Sequence, residues 1–344
     1  MEAKRERFSR ILMEDMFQVQ PGETIAITAD LGRDRATIDA MAQAAQNAGG
    51  LPLVMYIPQA EKDSQAGMKD WPSEALTAAL LKADVWIEAN EVVLLYSEIW
   101  EKAMRDNKKL RYLIIAESSI DSLDRVFTGF EIPVLKKLLS KVTSMVKTAN
   151  TVRITSDNGT DVSYDIDTNY TFDYDDGDFS MPKFGTAPGF VNVVPKLDSM
   201  NGRIVFDYLQ HAKLTDKVAF VLKDGKIVEI EGEGAAKFKE YLTSFEDENM
   251  YKISHNMIGL NPKVHAITGE LVEDERIWGG VDFGFGHTSA MDMPPFGQMA
   301  KSHFDGVVAK TSIYFDEIQI TDNGEVCHEE LRPLAESLLS ATNV

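Results

Sequence analysis

Residues Met250 to Asp316 read MYKISHNMIGLNPKVHAITGELVEDERIWGGVDFGFGHTSAMDMPPFGQMAKSHFDGVVAKTSIYFD, and four of the chain's 6 histidines fall within them. Glycines punctuate runs that alternate like strands, and several carboxylates lie between the histidines. The sharpest motif is Ser302-His303-Phe304-Asp305-Gly306, followed by Val307 to Phe315, whose alternation predicts a strand. On an extended chain residues i and i+2 point the same way, so His303 and Asp305 present an imidazole and a carboxylate to one point. A third donor would complete a metal site. His255, His265, His287 and Asp282 are candidates, and His255 is preferred because Tyr251 to Leu260 reads as a strand ending in the turn Gly259-Leu260-Asn261-Pro262. Two histidines and one carboxylate with open positions form the ligand set of non-haem iron(II) oxygenases; the same donors also hold catalytic zinc.

Four further landmarks run outward from this stretch: Pro188-Gly189-Phe190-Val191, Asn201-Gly202-Arg203-Ile204-Val205-Phe206-Asp207, Ile258-Gly259-Leu260-Asn261-Pro262-Lys263, and Gly279-Gly280-Val281-Asp282-Phe283-Gly284-Phe285-Gly286. With His303-Phe304-Asp305, they make residues 191–320 resemble the C-terminal domain of the M29 (aminopeptidase T type) family and of its relative, the 2,5-dihydroxypyridine 5,6-dioxygenases. The resemblance implies a dinuclear site in the peptidases, but this chain departs from their ligand set. It has Phe190 and His255 where two glutamates belong, and Asp282 where a histidine belongs. Phe190 cannot bind a cation, and a bridged two-metal site needs carboxylates to balance its charge. What survives is His255, His303 and Asp305, as in the dioxygenase branch. The resemblance therefore implies one Fe(II) and a ring-cleaving dioxygenase acting on a hydroxylated aromatic and O2. The alternative is a metal-dependent aminopeptidase or amidohydrolase using Zn2+ or Mn2+, with Asp282 or a glutamate as base. A third reading is a binding protein that keeps the cleft without turnover.

That branch also implies an acid/base histidine in the N-terminal half. No histidine precedes His211 here, and the corresponding place holds Tyr96, a donor but a poor base near neutral pH. This leaves room for a substrate other than dihydroxypyridine. Tyr96, His287 and Asp282 are the expected catalytic groups. His265, Phe190 and Phe283 are expected at the substrate, with Trp278, Phe285 and Phe296 as further aromatic wall. His211 and His328 are expected to be structural or exposed.

Composition bounds the rest. With 344 residues, 44% hydrophobic and 26% charged, the chain is a globular protein of two domains. A formal net charge of -20 argues against nucleic acid and anionic membrane surfaces as partners. One cysteine, Cys327, excludes an intrachain disulfide framework. Met1 to Met16 lacks an apolar signal core and no run of eighteen apolar residues occurs, so a cytoplasmic protein is expected. The relatives imply a homo-oligomer.

The expected fold class is α/β. Residues 1–150 form an N-terminal α/β domain, with helices over 2–17, 34–48, 73–81, 96–105 and 132–145 and strands over 24–28, 53–57, 84–88 and 111–116. Such alternation predicts a mostly parallel sheet, with Asp30, Asn90 and Glu117 at the cleft beyond its strand ends. Residues 151–344 form a β-rich metal-binding domain, with hairpins at Asn158-Gly159 and Asp224-Gly225, helices over 235–245 and 328–340, and a solvated acidic loop at 173–178. No phosphate-binding glycine motif follows a strand.

Overall fold

A computed structural model describes residues 1–59, 71–95, 97–115 and 118–341. The chain falls into two compact units, one of residues 1–132 with 177–187 and the other of residues 133–176 with 188–344. Among the described residues no helix is long and apolar enough to cross a membrane.

The first unit holds a five-stranded parallel sheet in the order Leu51–Ile57, Thr24–Asp30, Val85–Ala89, Arg111–Ile114, Phe184–Gly185. Its helices are set by local chemistry. The Asp34 carboxylate accepts the Ala36 amide at the start of helix Arg35–Asn47, while Ser97 and Ser119 cap Glu98–Asp106 and Ile120–Phe127. The first helix is α only over Glu2–Ile11 and continues as a π turn, Leu12–Met16. Helix Ile120–Phe127 and strand Phe184–Gly185 were not expected; the latter is two residues long and comes from a distant part of the chain. The core packs Trp86 against Tyr112 at 4.5 Å and Trp100 against Phe184 at 5.5 Å between ring centres.

Strand order reverses between Thr24–Asp30 and Val85–Ala89, but the polar residues there do not line an open cleft. Asp30 and Asn90 are 1% and 0% exposed, and Asp30 accepts the Glu91 amide. Glu88, fully buried, accepts the Leu94 amide and the Tyr112 hydroxyl. Both carboxyls thus fasten the segment that follows the strand. Glu117 and Tyr96 lie outside the described residues.

Burial raises the Glu88 carboxyl to about 8. A carboxyl that is neutral in the fold and ionised in the unfolded chain favours unfolding as pH rises between its two pKa values. Wild-type protein should therefore lose stability relative to a Glu88→Gln variant from pH 4.5 to 8, by on the order of 4 kcal/mol. Urea midpoints of the two proteins across that range measure it, and parallel curves would remove Glu88 as the cause.

The second unit carries two antiparallel sheets. One has eight strands and includes both expected hairpins, Thr151–Ser156 with Thr160–Asp165 and Ala219–Lys223 with Lys226–Glu231. The other has six, ordered Tyr208–Leu209, Gln298–Val308, Val281–Thr288, Ile253–Gly259, Phe190–Val193, Phe172–Asp175. The expected strand over 307–315 is corrected. The strand begins at Gln298 and ends at Val308, and Ser312–Phe315 pairs in the other sheet. The acidic stretch is corrected too: Phe172–Asp175 is a strand, and Asp175 and Asp176 are 7% and 3% exposed.

The two faces of the six-stranded sheet differ. Phe283, Phe285 and Phe304 alternate onto one face, where Phe285 and Phe304 stack at 5.2 Å and Phe206 and Phe220 close around them. Burying such rings contributes about 2–3 kcal/mol each and fixes the register. Every second residue is thereby assigned to the opposite face.

Candidate metal centre

On that opposite face three strands meet. His255 is directly across from Gly284, Gly284 from Asp305, and Gly286 from His303. The glycines leave room for the imidazoles. A Cβ on Gly284 would lie 2.5 Å from His255 Cε1. The two imidazoles lie nearly parallel, ring centres 5.0 Å apart. His255, His303 and Asp305 offer donor atoms that all lie within 4.8 Å of one another.

The orientation of each donor has a cause. His303 Nδ1 lies 2.8 Å from the His287 carbonyl, to which it donates. Its Nε2 is thereby turned toward Asp305 Oδ1, 2.9 Å away. Asp305 is held through its backbone: the Gln210 amide donates to its carbonyl at 2.9 Å, and its own amide donates to Gln210 Oε1 at 3.3 Å. His255 Nε2 is 3.3 Å from Asp282 Oδ2 and 3.5 Å from Asp305 Oδ1, yet it has no hydrogen-bond partner among the described residues, nor has either Asp282 oxygen.

Electrostatics sort these groups. Burial, with the His303 charge beside it, pushes His255 down to about 4, so its imidazole is neutral near pH 7. Burial opposes protonation of His303 as well, but Asp305 outweighs it and raises this histidine. Asp305 is drawn down by His303 against the effect of burial. Asp282, with 0% exposure, is driven well above the carboxylate range by burial and then by the charge of Asp305. A neutral imidazole, a second imidazole fixed by a carbonyl and an ionised carboxylate are the donors a first-row divalent cation takes, and the orphaned His255 nitrogen is the atom such an ion would satisfy.

Other expected residues divide. Phe190 is 6% exposed and its ring lies under the Arg276 guanidinium at 4.9 Å. His287 is half-buried, lowered by burial and by the His303 charge. His265 is exposed and bonds the Pro262 carbonyl at 2.9 Å. Phe283 does not face the donors; it is 0% exposed on the aromatic side of the sheet, as is Phe285, while Phe296 is 84% exposed. His211 is exposed and stacks on Tyr241 at 4.5 Å.

Glu275 and Arg276 went unnoticed in the sequence. Helix Leu271–Asp274 brings them in. Burial pushes Glu275 up to about 7, against the pull of Arg276, and its charge is felt at His303 and Asp282. Arg276 pairs with Glu275 at 2.6 Å and donates to the Val272 carbonyl at 2.5 Å. The only signal was two charged residues directly before the apolar run Ile277-Trp278.

Comparison with known proteins gives the family and the fold. The family model described as 2,5-dihydroxypyridine 5,6-dioxygenase matches residues 8–328. Among solved structures the chain is similar to the 2,5-dihydroxypyridine dioxygenase of Pseudomonas putida KT2440, with a TM-score of 0.81 and 19% identity over 96% of this chain and 99% of that one. It is also similar to AmpT of Thermus thermophilus, with a TM-score of 0.68 and 12% identity over 94% and 99% of the two chains. At these identities the likenesses show a shared fold. No curated protein matches the sequence.

Proposed function

The chain belongs to the 2,5-dihydroxypyridine 5,6-dioxygenase family of ring-cleaving enzymes, and from that premise we propose that His255, His303 and Asp305 hold a single Fe(II) at which a hydroxylated N-heteroaromatic ring such as 2,5-dihydroxypyridine is opened by O2. The observation that carries the proposal is the convergence of those three donors on one face, in a chain whose family is a dioxygenase family. Bound Fe(II) supplies open positions for the ring and O2 and the redox activity that joins them.

The chain's own residues do the remaining work in this reading. His287 fixes His303 through its carbonyl and holds an imidazole within reach of the His303 charge, which suits it to exchange a proton with the substrate. Asp282, whose carboxyl burial and then the Asp305 charge raise well above the carboxylate range, is the proposed proton donor beside His255, and Tyr96 is the proposed third group. Phe190 gives the ring an apolar neighbour.

Arg276 supports one metal rather than two. Its guanidinium sits over Phe190 and pairs with Glu275, so that wall presents an aromatic ring and an engaged carboxyl, not a free donor for a second ion. The hydrolytic alternative with Zn2+ or Mn2+ is not favoured by the family. The second unit is proposed as the metal-binding catalytic domain, and the reading retains a cytoplasmic homo-oligomer.

Protein purified without oxygen should contain about one iron per chain by elemental mass spectrometry, and should consume O2 in proportion to added 2,5-dihydroxypyridine. About two zinc or manganese ions per chain, with amide hydrolysis in place of O2 uptake, would overturn the assignment.

A further inference from the structure

Asn192 lies in strand Phe190–Val193, directly across from Met257. Residues directly opposite in an antiparallel pair share a face, and Met257 shares its face with His255 two residues away. Asn192 is therefore on the metal side, a diagonal neighbour of His255 at about 7 Å between Cα atoms. The residue is 8% exposed, and Oδ1 is buried with no hydrogen-bond partner among the described residues. A buried amide oxygen without a donor is costly, and packing alone would be met by an apolar residue of the same size. The position calls for a donor supplied from outside the chain. His255 Nε2 and the Asp282 carboxylate oxygens, likewise without partners among the described residues, cluster at the metal centre, whereas Asn192, with Asp173 directly across from it on the next strand, is set to one side of it.

We infer that Asn192 reads the edge of the substrate ring: its Oδ1 accepts a hydrogen bond from a ring N–H while the hydroxyl side of the ring faces the metal. The inference rests on the proposed function and narrows the substrate class to hydroxylated N-heteroaromatics in the lactam form, whose ring nitrogen carries a hydrogen. A carbocyclic diphenol places a C–H at that point and leaves Oδ1 unpaired. Asn192 is thus the residue that separates nitrogen rings from carbon rings, acting on binding rather than on bond cleavage.

The test uses iron-loaded full-length protein held without oxygen, with 2,5-dihydroxypyridine and hydroquinone as probes. Hydroquinone keeps both oxygens and the ring size but replaces the ring nitrogen by C–H. Calorimetry should show wild type binding the pyridine about 100-fold more tightly, since a site built to hydrogen-bond a donor rejects the analogue lacking it. Asn192→Leu, with iron content unchanged, should weaken the pyridine by a similar factor and bring the two Kd values within about threefold. A ratio that survives in Asn192→Leu overturns the inference, because a water or a chain atom then satisfies Oδ1. Equal binding of both probes by wild type overturns it too, whether or not the variant folds. If wild type loads iron yet binds neither probe, the substrate reading itself falls, a result distinct from the loss of discrimination alone.

Discussion

A His255→Ala variant is expected to lose its metal, and with it ring cleavage, by more than about 100-fold, since even residues that merely support a ligand cost 10- to 100-fold. The imidazole is pressed against the Gly284 backbone and its Nε2 has no hydrogen-bond partner among the described residues, so its removal deletes a donor at the cost of ring contacts with Gly284 and His303. The sheet should survive, because Ile253–Gly259 keeps its backbone pairing on both sides. Elemental analysis of purified variant and wild type checks the first half, and O2 uptake the second. His328→Ala, outside the three-donor cluster, should match wild type in both. If His255→Ala keeps one iron per chain and full turnover, the three-donor site is wrong.

Gly284→Ala is expected to reach nearly the same end by steric means. The added methyl would lie 2.5, 2.7 and 2.8 Å from Cε1, Nε2 and Nδ1 of His255. The ring is wedged between strands, and relieving these contacts displaces it by nearly an ångström, which costs catalysis about 100-fold at this level of misplacement. Gly284 does not occupy the left-handed region that favours glycine, so alanine brings no backbone strain. Gly286, by contrast, has φ near +92° and its replacement would confound strain with crowding. Metal affinity and the urea midpoint of Gly284→Ala separate the two effects. A large fall in the first with little change in the second is expected, and wild-type metal affinity would show that His255 is not held as described.

Much of this site could be read from the residues because strand periodicity is strict. His303 and Asp305 are two apart, and any extended backbone puts them side by side. His255 followed from a strand ending at an Asn-Pro turn, and the α/β alternation of the first 150 residues gave the parallel sheet. Periodicity did not reveal which face of the sheet each aromatic takes. Phe283 was placed with the substrate, although its odd-numbered position sets it beside Phe285 in the core and opposite Asp282. The strand carrying His303 was placed too late because Gln298-Met299-Ala300-Lys301 mixes polarity without clean alternation. Glu275 and Arg276 reach the site through a one-turn helix, Leu271–Asp274, and no local pattern announces where so short an element turns. Asn192 was invisible because an amide between two valines signals nothing until its neighbours across the sheet are known.

The strand Gln298–Val308 sends His303 and Asp305 one way and Phe304 the other, into contact with Phe285 and Phe238. Chemistry and cohesion are therefore written on alternate letters of the same short text, and neither can be edited alone. A core substitution at Phe304 shifts the backbone that aims two of the proposed ligands, and an insertion of one residue exchanges donor for ring. On the proposed reading, variation in what this enzyme accepts is accordingly confined to strands that border the donors without carrying them, such as Phe190–Val193, where a single side chain can change while the three proposed ligands stay in place.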